Sequence, residues 1–280
     1  MSILSFLIEK DYKPALLTRG YKGNWQKKGG LLSDGNNILG SWQDSGDEPL
    51  MIAKNIPKAG IFVGRNRLSS ALTAAKLGFN LALLDDGFQH RSLARDLDIV
   101  LYDPCSKLPL REFPSSLKRA DYLLVEKDQK KKIKKEGKRH LAAKAVFEYE
   151  VKSQGFFEVG KDEIMVSPAK IKAKKALAFC AIARPQRFLF LLHKQGIYPL
   201  SLLKFPDHHL YPSSSLEKIL KTLKKTQAEI LIMTEKDAVK VADRLSQRQI
   251  PSFYLKIKLQ VENKFYSHLL SSLAAHNYCD

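Results

Sequence analysis

The sequence is poor in cysteine: Cys105, Cys180 and Cys279 are far apart and odd in number. No two share metal-ligand spacing, which excludes a disulfide framework or a zinc-knuckle module and fits free thiols in a reducing compartment. Long apolar runs are also missing, and nothing approaches the ~20 apolar residues needed to cross a bilayer. Residues 1–10 (MSILSFLIEK) are apolar but short, with no basic stretch before them and no small-residue cleavage site after them. They read as an amphipathic core helix rather than a secretory signal. Acidic residues are few beside basic ones, 29 Asp+Glu against 47 Lys+Arg, a net charge of +18. Such a field favours anionic partners: nucleic acid, lipid headgroups or phosphorylated small molecules. No zinc-finger spacing or aromatic RNA-reading motif accompanies it, so no nucleic-acid partner is expected.

What is present is enough apolar material, 44% of 280 residues, for a sizeable core in one or two domains. Strand-like runs fall at 14–18 (PALLT), 60–64 (GIFVG), 80–84 (NLALL), 98–103 (DIVLYD), 121–126 (DYLLVE), 145–151, 176–182 (ALAFCAI), 229–234 (EILIMT) and 252–257. Helical periodicity fills segments such as 65–78 and 213–226. Apolar strands alternating with helices predict an α/β fold with a mostly parallel sheet covered on both faces. The basic run 127–139 (KDQKKKIKKEGKR) reads as a solvated helix face. From 145 to 172, short paired strands with Gly155, Gly160 and Pro168 suggest a connector. The expected organisation is therefore a core at 1–150, a connector at 151–172 and a smaller α/β domain at 173–280.

Several strings could carry chemistry. Residues 81–91 (LALLDDGFQHR) end an apolar strand in two carboxylates, at the sheet edge where such folds bind ligands. Asp85 and Asp86 are metal candidates, or one caps a helix and the other is exposed. Gln89, His90 and Arg91 follow with donors suited to phosphate or sugar. In GDEP, Asp47 precedes a probable helix at 50–55; taken alone, a cap is favoured over a catalytic base. KFPDHHLY (204–211) places His208 and His209 beside an acid, an arrangement that sets up proton transfer near neutral pH. A zinc site is the weaker choice there. LTRGYKG (17–23) offers Arg19 and Tyr21 to an anion, and LRE (110–112) offers Arg111 and Glu112. TEKD (234–237) reads at least equally as a capping segment, with Thr234 as N-cap.

Taken together, LTRGYKG, GDEP, VGRNR, LLDDGFQHRSLARDLDIVLYD, LPLRE, LKRADYLLV, RPQRF, FPDHHLY and TEKDAVK resemble the tetraacyldisaccharide 4′-kinases, or lipid A kinases. The resemblance runs from about residue 16 to 240. It implies a P-loop NTPase-like fold with a second, smaller α/β domain. It also implies ATP- and Mg²⁺-dependent phosphorylation of the 4′-hydroxyl of the tetraacyl disaccharide 1-phosphate lipid A precursor, at the cytoplasmic face of the bacterial inner membrane. By resemblance, Asp47 is the catalytic aspartate and His208 or His209 its partner. Asp85 and Asp86 are the metal acids. Gln89, His90, Arg111 and Glu112 lie around phosphates or sugar, and Arg19 and Tyr21 face the lipid headgroup. The basic surface then suits phosphorylated substrates and an anionic membrane.

One departure matters. No G-x-x-x-x-G-K-[ST] loop occurs in the 280 residues, so no cofactor-binding residue of that kind is assigned. In the family this loop and its strand precede the helix that here reads SILSFLIEK. A start placed too late is the favoured explanation, ahead of a decayed, inactive remnant binding anionic lipid by charge. A separate chain supplying the loop comes last. A smaller departure is CAIARPQRF, where Ala183 and Arg184 stand in a turn that contains glycine in the family. The loop's backbone N–H groups and lysine cradle the nucleotide phosphates. The chain as written is therefore expected to bind ATP weakly or not at all; micromolar, Mg²⁺-dependent binding in a calorimetric titration would overturn this.

Overall fold

The computed structural model describes residues 1–103, 114–127, 129, 145–161 and 164–276. Arg111, Glu112 and most of the basic run at 127–139 lie outside the described residues. A four-stranded sheet has β1 (Pro14–Thr18) at its heart, in the order β2-β3-β1-β4, with β2 at Gly30–Asp34, β3 at Gly60–Val63 and β4 at Leu81–Leu84. The chain order of its helices is α1 (Ser2–Ile8), α2 (Trp25–Lys28), α3 (Trp42–Ser45), α4 (Asp47–Asn55) and α5 (Arg67–Lys76). β1 runs parallel to β3 and β4, and β2 adds antiparallel to β3. All five residues of β1 are buried, as a continuous apolar run between two parallel neighbours should be.

The second sheet holds β5 (Ile99–Leu101), β6 (Tyr122–Glu126), β7 (Ala145–Glu158), β8 (Met165–Val166), β9 (Ala176–Cys180), β10 (Ser201–Lys204), β11 (Ile230–Thr234) and β12 (Ser252–Val261). Its order is β10-β9-β11-β12-β7-β6-β5, with β8 paired to β7. Around it lie α6 (Pro168–Lys172), α7 (Pro185–Lys194), α8 (Ser213–Thr226), α9 (Glu235–Ser246) and α10 (Asn263–His276). The β9-β10, β9-β11 and β11-β12 pairs are parallel, as are β5-β6 and β6-β7; the long β7-β12 pair is antiparallel. The α/β, mostly parallel expectation holds.

Three elements differ from expectation. β7 is one 14-residue strand rather than short pairs, and it runs across the 150/151 boundary. Its antiparallel partner β12 pairs with it from Tyr149 to Glu158, with a bulge at Lys256/Ile257 opposite Gly155. β2 is hidden in the sequence by its flanking glycines, and β10 is only four residues long.

β4 and β5 follow one another in sequence yet lie at the edges of different sheets. Both are apolar but incompletely covered, and Leu101 is 58% exposed. Leu81 and Leu83 of β4 share one apolar cluster with Ile99 of β5, Leu7 of α1 and Tyr122. The two edges thus approach each other over α1 and leave side chains short of cover, as sheet edges do.

Packed against the same cluster, α10 closes the core. Phe265, fully buried, meets Phe147 and Tyr122 edge-on, and the Tyr122 hydroxyl bonds Ser272 Oγ at 2.6 Å. Phe265→Ala should cost about 3–5 kcal/mol of stability in urea unfolding. A loss below about 1 kcal/mol would mean that α10 does not depend on this ring.

Candidate active site

The site begins at the carboxyl ends of β1 and β4, which are adjacent and parallel. Thr18 closes β1 and donates its hydroxyl to Asp85 Oδ2 at 2.9 Å. Asp85 stays accessible at the strand tip yet is crowded by protein. That desolvation, with the nearby charges of Asp86 and Glu48, raises its carboxyl pKa against the opposing Thr18 bond and the Arg67 guanidinium. Arg67, buried at the start of α5, donates to the backbone carbonyls of Gly64 and Asp85. Asp86 takes a left-handed conformation (φ 51°) and starts the tight turn Gly87–Gln89 without capping it by its side chain.

Asp47 is the first residue of α4; Gly46 occupies the cap position, so the capping reading fails. Gly46 has φ 91°, and a Cβ there would sit 2.9 Å from the Tyr21 carbonyl oxygen. Only glycine allows this approach, which brings the LTRGYKG loop against GDEP. The Asp47 side chain is buried and makes three polar contacts. His208 Nδ1 lies 3.1 Å from Oδ1, the Glu48 backbone N–H donates to Oδ1 at 3.0 Å, and Lys240 Nζ donates to Oδ2 at 3.0 Å. Burial alone would raise the Asp47 pKa. The His208 bond and the Lys240 and Lys236 charges outweigh it and hold the carboxyl well below its usual range.

The histidines separate cleanly. His208 has φ 55° and turns its ring toward Asp47; Tyr21 packs against it with centroids 4.9 Å apart. Lys22 Nζ donates to the His208 carbonyl at 3.2 Å. His209 instead stacks on Phe205 and bonds Ser215 Oγ at 2.7 Å. Burial and the Lys240 and Lys22 charges lower its pKa.

The other expected residues are more dispersed. Arg19 is exposed but close enough to Arg67 to depress its pKa. Gln89 is exposed, and His90 Nε2 lies 3.1 Å from Ser92 Oγ, so both stay on the loop after the acid pair. Arg184, from the altered turn, pairs with Asp103 at 3.0 Å. Cys180 is buried, and burial with Asp237 pushes its thiol up to about 12, in keeping with no chemical role. Sequence reasoning missed Lys236, Lys240, Glu48, Thr18 and Arg67. Asp237 is fixed by the Thr234 hydroxyl at 2.6 Å and the Ala181 N–H at 3.1 Å, so the N-cap expected of TEKD is present. The same turn also aims two lysines at the site. A lysine four residues past the first, beside an acid at a strand end, was the available signal.

The acid pair and the Asp47–His208 pair face one region, because Glu48 acts on Asp85 and also binds Lys236, which reaches His208. Asp85, Asp86 and Thr18 offer hard oxygens, and a divalent cation would offset the desolvation and the repulsion from Asp86 and Glu48 that raise the Asp85 pKa. Among the described residues no group of three or more His, Cys, Asp or Glu forms a metal cage. That suits Mg²⁺, which takes one or two carboxylates and keeps waters and phosphates.

Residues 1–274 match the model of the family described as tetraacyldisaccharide-1-P 4′-kinase. A tetraacyldisaccharide 4′-kinase of Desulfotalea psychrophila is 32% identical over 98% of this chain and 81% of its own length. One of Koribacter versatilis is 35% identical over 92% of this chain and 77% of its own. A crystal structure of LpxK from Aquifex aeolicus in complex with ATP superposes with a TM-score of 0.73 at 26% identity, covering 99% of this chain and 82% of that one.

Asp47 bears on stability through its lowered pKa. Its contribution is fully present above the unfolded carboxylate value, near 4, and is lost as pH falls toward the lower folded value. The stability gap between wild type and Asp47→Asn should therefore be constant above about pH 5 and shrink below about pH 4. Urea melts across that range check this; a gap that widens on acidification would contradict it.

Proposed function

This chain belongs to the tetraacyldisaccharide-1-P 4′-kinase family, and on that premise we propose that Asp47 and His208 form its proton-accepting pair and Asp85 and Asp86 its metal acids. The reaction is ATP-dependent phosphorylation of the 4′-hydroxyl of the lipid A precursor disaccharide. The observation that carries the assignment is the 3.1 Å Asp47–His208 contact, made between residues 161 positions apart.

Asp47 is pre-ionised and oriented. A carboxylate offers about four acceptor positions. Three are taken by His208, the Glu48 N–H and Lys240, which leaves room on Oδ2 for the sugar hydroxyl. A carboxylate held so acidic is a weak base. This fits a loose phosphoryl transfer, in which the attacking hydroxyl gives up its proton late and positioning supplies most of the rate. His208, donating to Oδ1, keeps the acceptor oxygen aimed. Mg²⁺, when bound, would supply charge neutralisation on the phosphoryl oxygens. Asp85 and Asp86 would hold it, with Thr18 fixing the Asp85 rotamer. Tyr21 and Arg19, on the loop beside His208, would meet the disaccharide headgroup; Gln89, His90, Arg111 and Glu112 would lie around phosphates or sugar.

The proposed division is a kinase-like core at 1–150, a connector at 151–172 and a smaller α/β unit at 173–280 that contributes the His208 loop. Among the described residues no helix is long and apolar enough to cross a membrane. The charge of +18 supports peripheral contact with an anionic leaflet, at the cytoplasmic face of the inner membrane.

The test is made in a chain that carries a Walker A loop. Asp47→Ala should abolish turnover, and His208→Ala should lower it by about 10²–10⁴-fold, with liposome association unchanged. His209→Ala should retain most activity. Equal loss from the two histidine variants, or unchanged turnover in Asp47→Ala, defeats the assignment.

A further inference from the structure

The start of α9 faces the Asp47–His208 pair with two lysines. Lys236 Nζ lies 2.8 Å from Glu48 Oε1, 3.2 Å from His208 Nε2 and 3.7 Å from Asp207 Oδ1. An ammonium has three N–H donors and no acceptor, so these three neighbours match its donors in number. Glu48 and Asp47 hold its pKa up against the burial that would lower it, so it remains a cation. A cation 3.2 Å from an imidazole nitrogen is tolerated only if that nitrogen presents a lone pair. An imidazolium there would set N–H against N–H and positive against positive. Asp207 Oδ2 also faces Nε2, but at 3.9 Å it is beyond hydrogen-bonding distance, and its other oxygen lies 3.7 Å from the same ammonium. This places the proton of neutral His208 on Nδ1, the atom 3.1 Å from Asp47 Oδ1.

Lys240 occupies the other side. Its ammonium is buried between Asp47 Oδ2 at 3.0 Å and Asp237 Oδ1 at 3.3 Å, and it lies over the Tyr211 ring at 5.2 Å. Asp237 is itself pinned by Thr234 and Ala181, so Lys240 cannot follow Asp47 if that carboxylate moves.

We propose that Lys236 and Lys240 are positioning residues for phosphoryl transfer: Lys236 fixes His208 as its Nδ1–H tautomer, and Lys240 holds the Asp47 carboxylate in one ionised rotamer. The inference rests on the proposed function for its catalytic meaning, but the tautomer itself does not. A His208 in the other tautomer would present a bare Nδ1 to Asp47, repel it and free the carboxylate to rotate. The lysines are spaced i, i+4 on α9, so both reach one target from a single helix face.

The experiment is a long-range ¹H–¹⁵N correlation spectrum of the whole chain labelled at histidine, with the His208 signals identified by their loss in His208→Gln. The expected result at neutral pH is a protonated Nδ1 and an unprotonated Nε2, and Lys236→Met should convert this to a mixture of tautomers. An Nε2–H tautomer in wild type, or an unaltered Nδ1–H signal in Lys236→Met, overturns the proposal. In the loop-bearing enzyme, Lys236→Met should lower kcat by about 10–100-fold with KM little changed. Lys236→Arg, which keeps a donor cation, should restore the tautomer and part of the rate. Lys240→Arg, chosen because Lys240→Met leaves two buried carboxylates facing each other, should shift the pH profile of kcat more than it changes KM; a profile identical to wild type would remove Lys240 from the proposal. If Asp47→Ala leaves turnover unchanged while the His208 tautomer is as stated, the catalytic reading fails and the tautomer assignment survives.

Discussion

The buried Asp47 carboxylate is the constraint on which the arrangement depends. A desolvated anion costs several kcal/mol unless charges and donors replace the lost water. Asp47 belongs to the part of the chain that forms the four-stranded sheet, whereas Lys240, Lys236 and His208 belong to the part that forms the other. The anion is therefore compensated only when α4 and α9 are docked. The same interface carries Glu48–Lys236 and Asn55–Glu235 contacts, which fix where along α4 the start of α9 rests. Association of the two parts and formation of the Asp47–His208 contact are one event.

The FPDHHLY loop shows how that docking is made directional. Two non-glycine residues, His208 and Tyr211, take left-handed backbone conformations at φ 55° and 53°. Such conformations persist where surroundings over-determine them. Here Tyr211 is fully buried against Phe179 and Phe205, and the Arg244 guanidinium holds its carbonyl. His209 is clamped by Phe205 and Ser215. With both flanks fixed, His208 has one direction left, toward Asp47. The second histidine thus serves the first by anchoring the loop.

The sheet was legible in the sequence wherever a strand is an uninterrupted apolar run, as in β1, β3, β9 and β11. Those runs are buried on both faces and carry no competing turn signal. β2 and β10 were not legible, because GLLSD and SLLK sit among glycines or near proline and are too short for a pattern. At the site, Asp85 and Asp86 could be read from a strand tip, and Asp47 from its motif. The choice between His208 and His209 could not, since adjacency in sequence says nothing about which ring a loop turns inward. Lys240 carries only the spacing signal, for a different reason. Its partner is 193 residues away, and a lysine in an amphipathic helix otherwise reads as surface.

Asp47 and Asp85 are the same residue type, yet their carboxyls are driven in opposite directions. Asp47 is surrounded by donors and cations, and its pKa falls despite burial. Asp85 is desolvated by the protein around it, and that burial, with the charges of Asp86 and Glu48, outweighs one hydroxyl donor and a guanidinium, so its pKa rises. Opposed shifts of this kind sort groups into roles. A carboxylate already supplied with protein cations has no electrostatic need of a metal and is free to accept a hydrogen bond from substrate. A carboxylate crowded by other anions is stable in its charged form only beside a positive charge that the protein does not itself provide in full. The overall +18 does not change this, because screening confines surface charge to about 8–10 Å. The surface charge favours anions that come near it, while the local excess of acid beside Thr18 is what a divalent cation would answer.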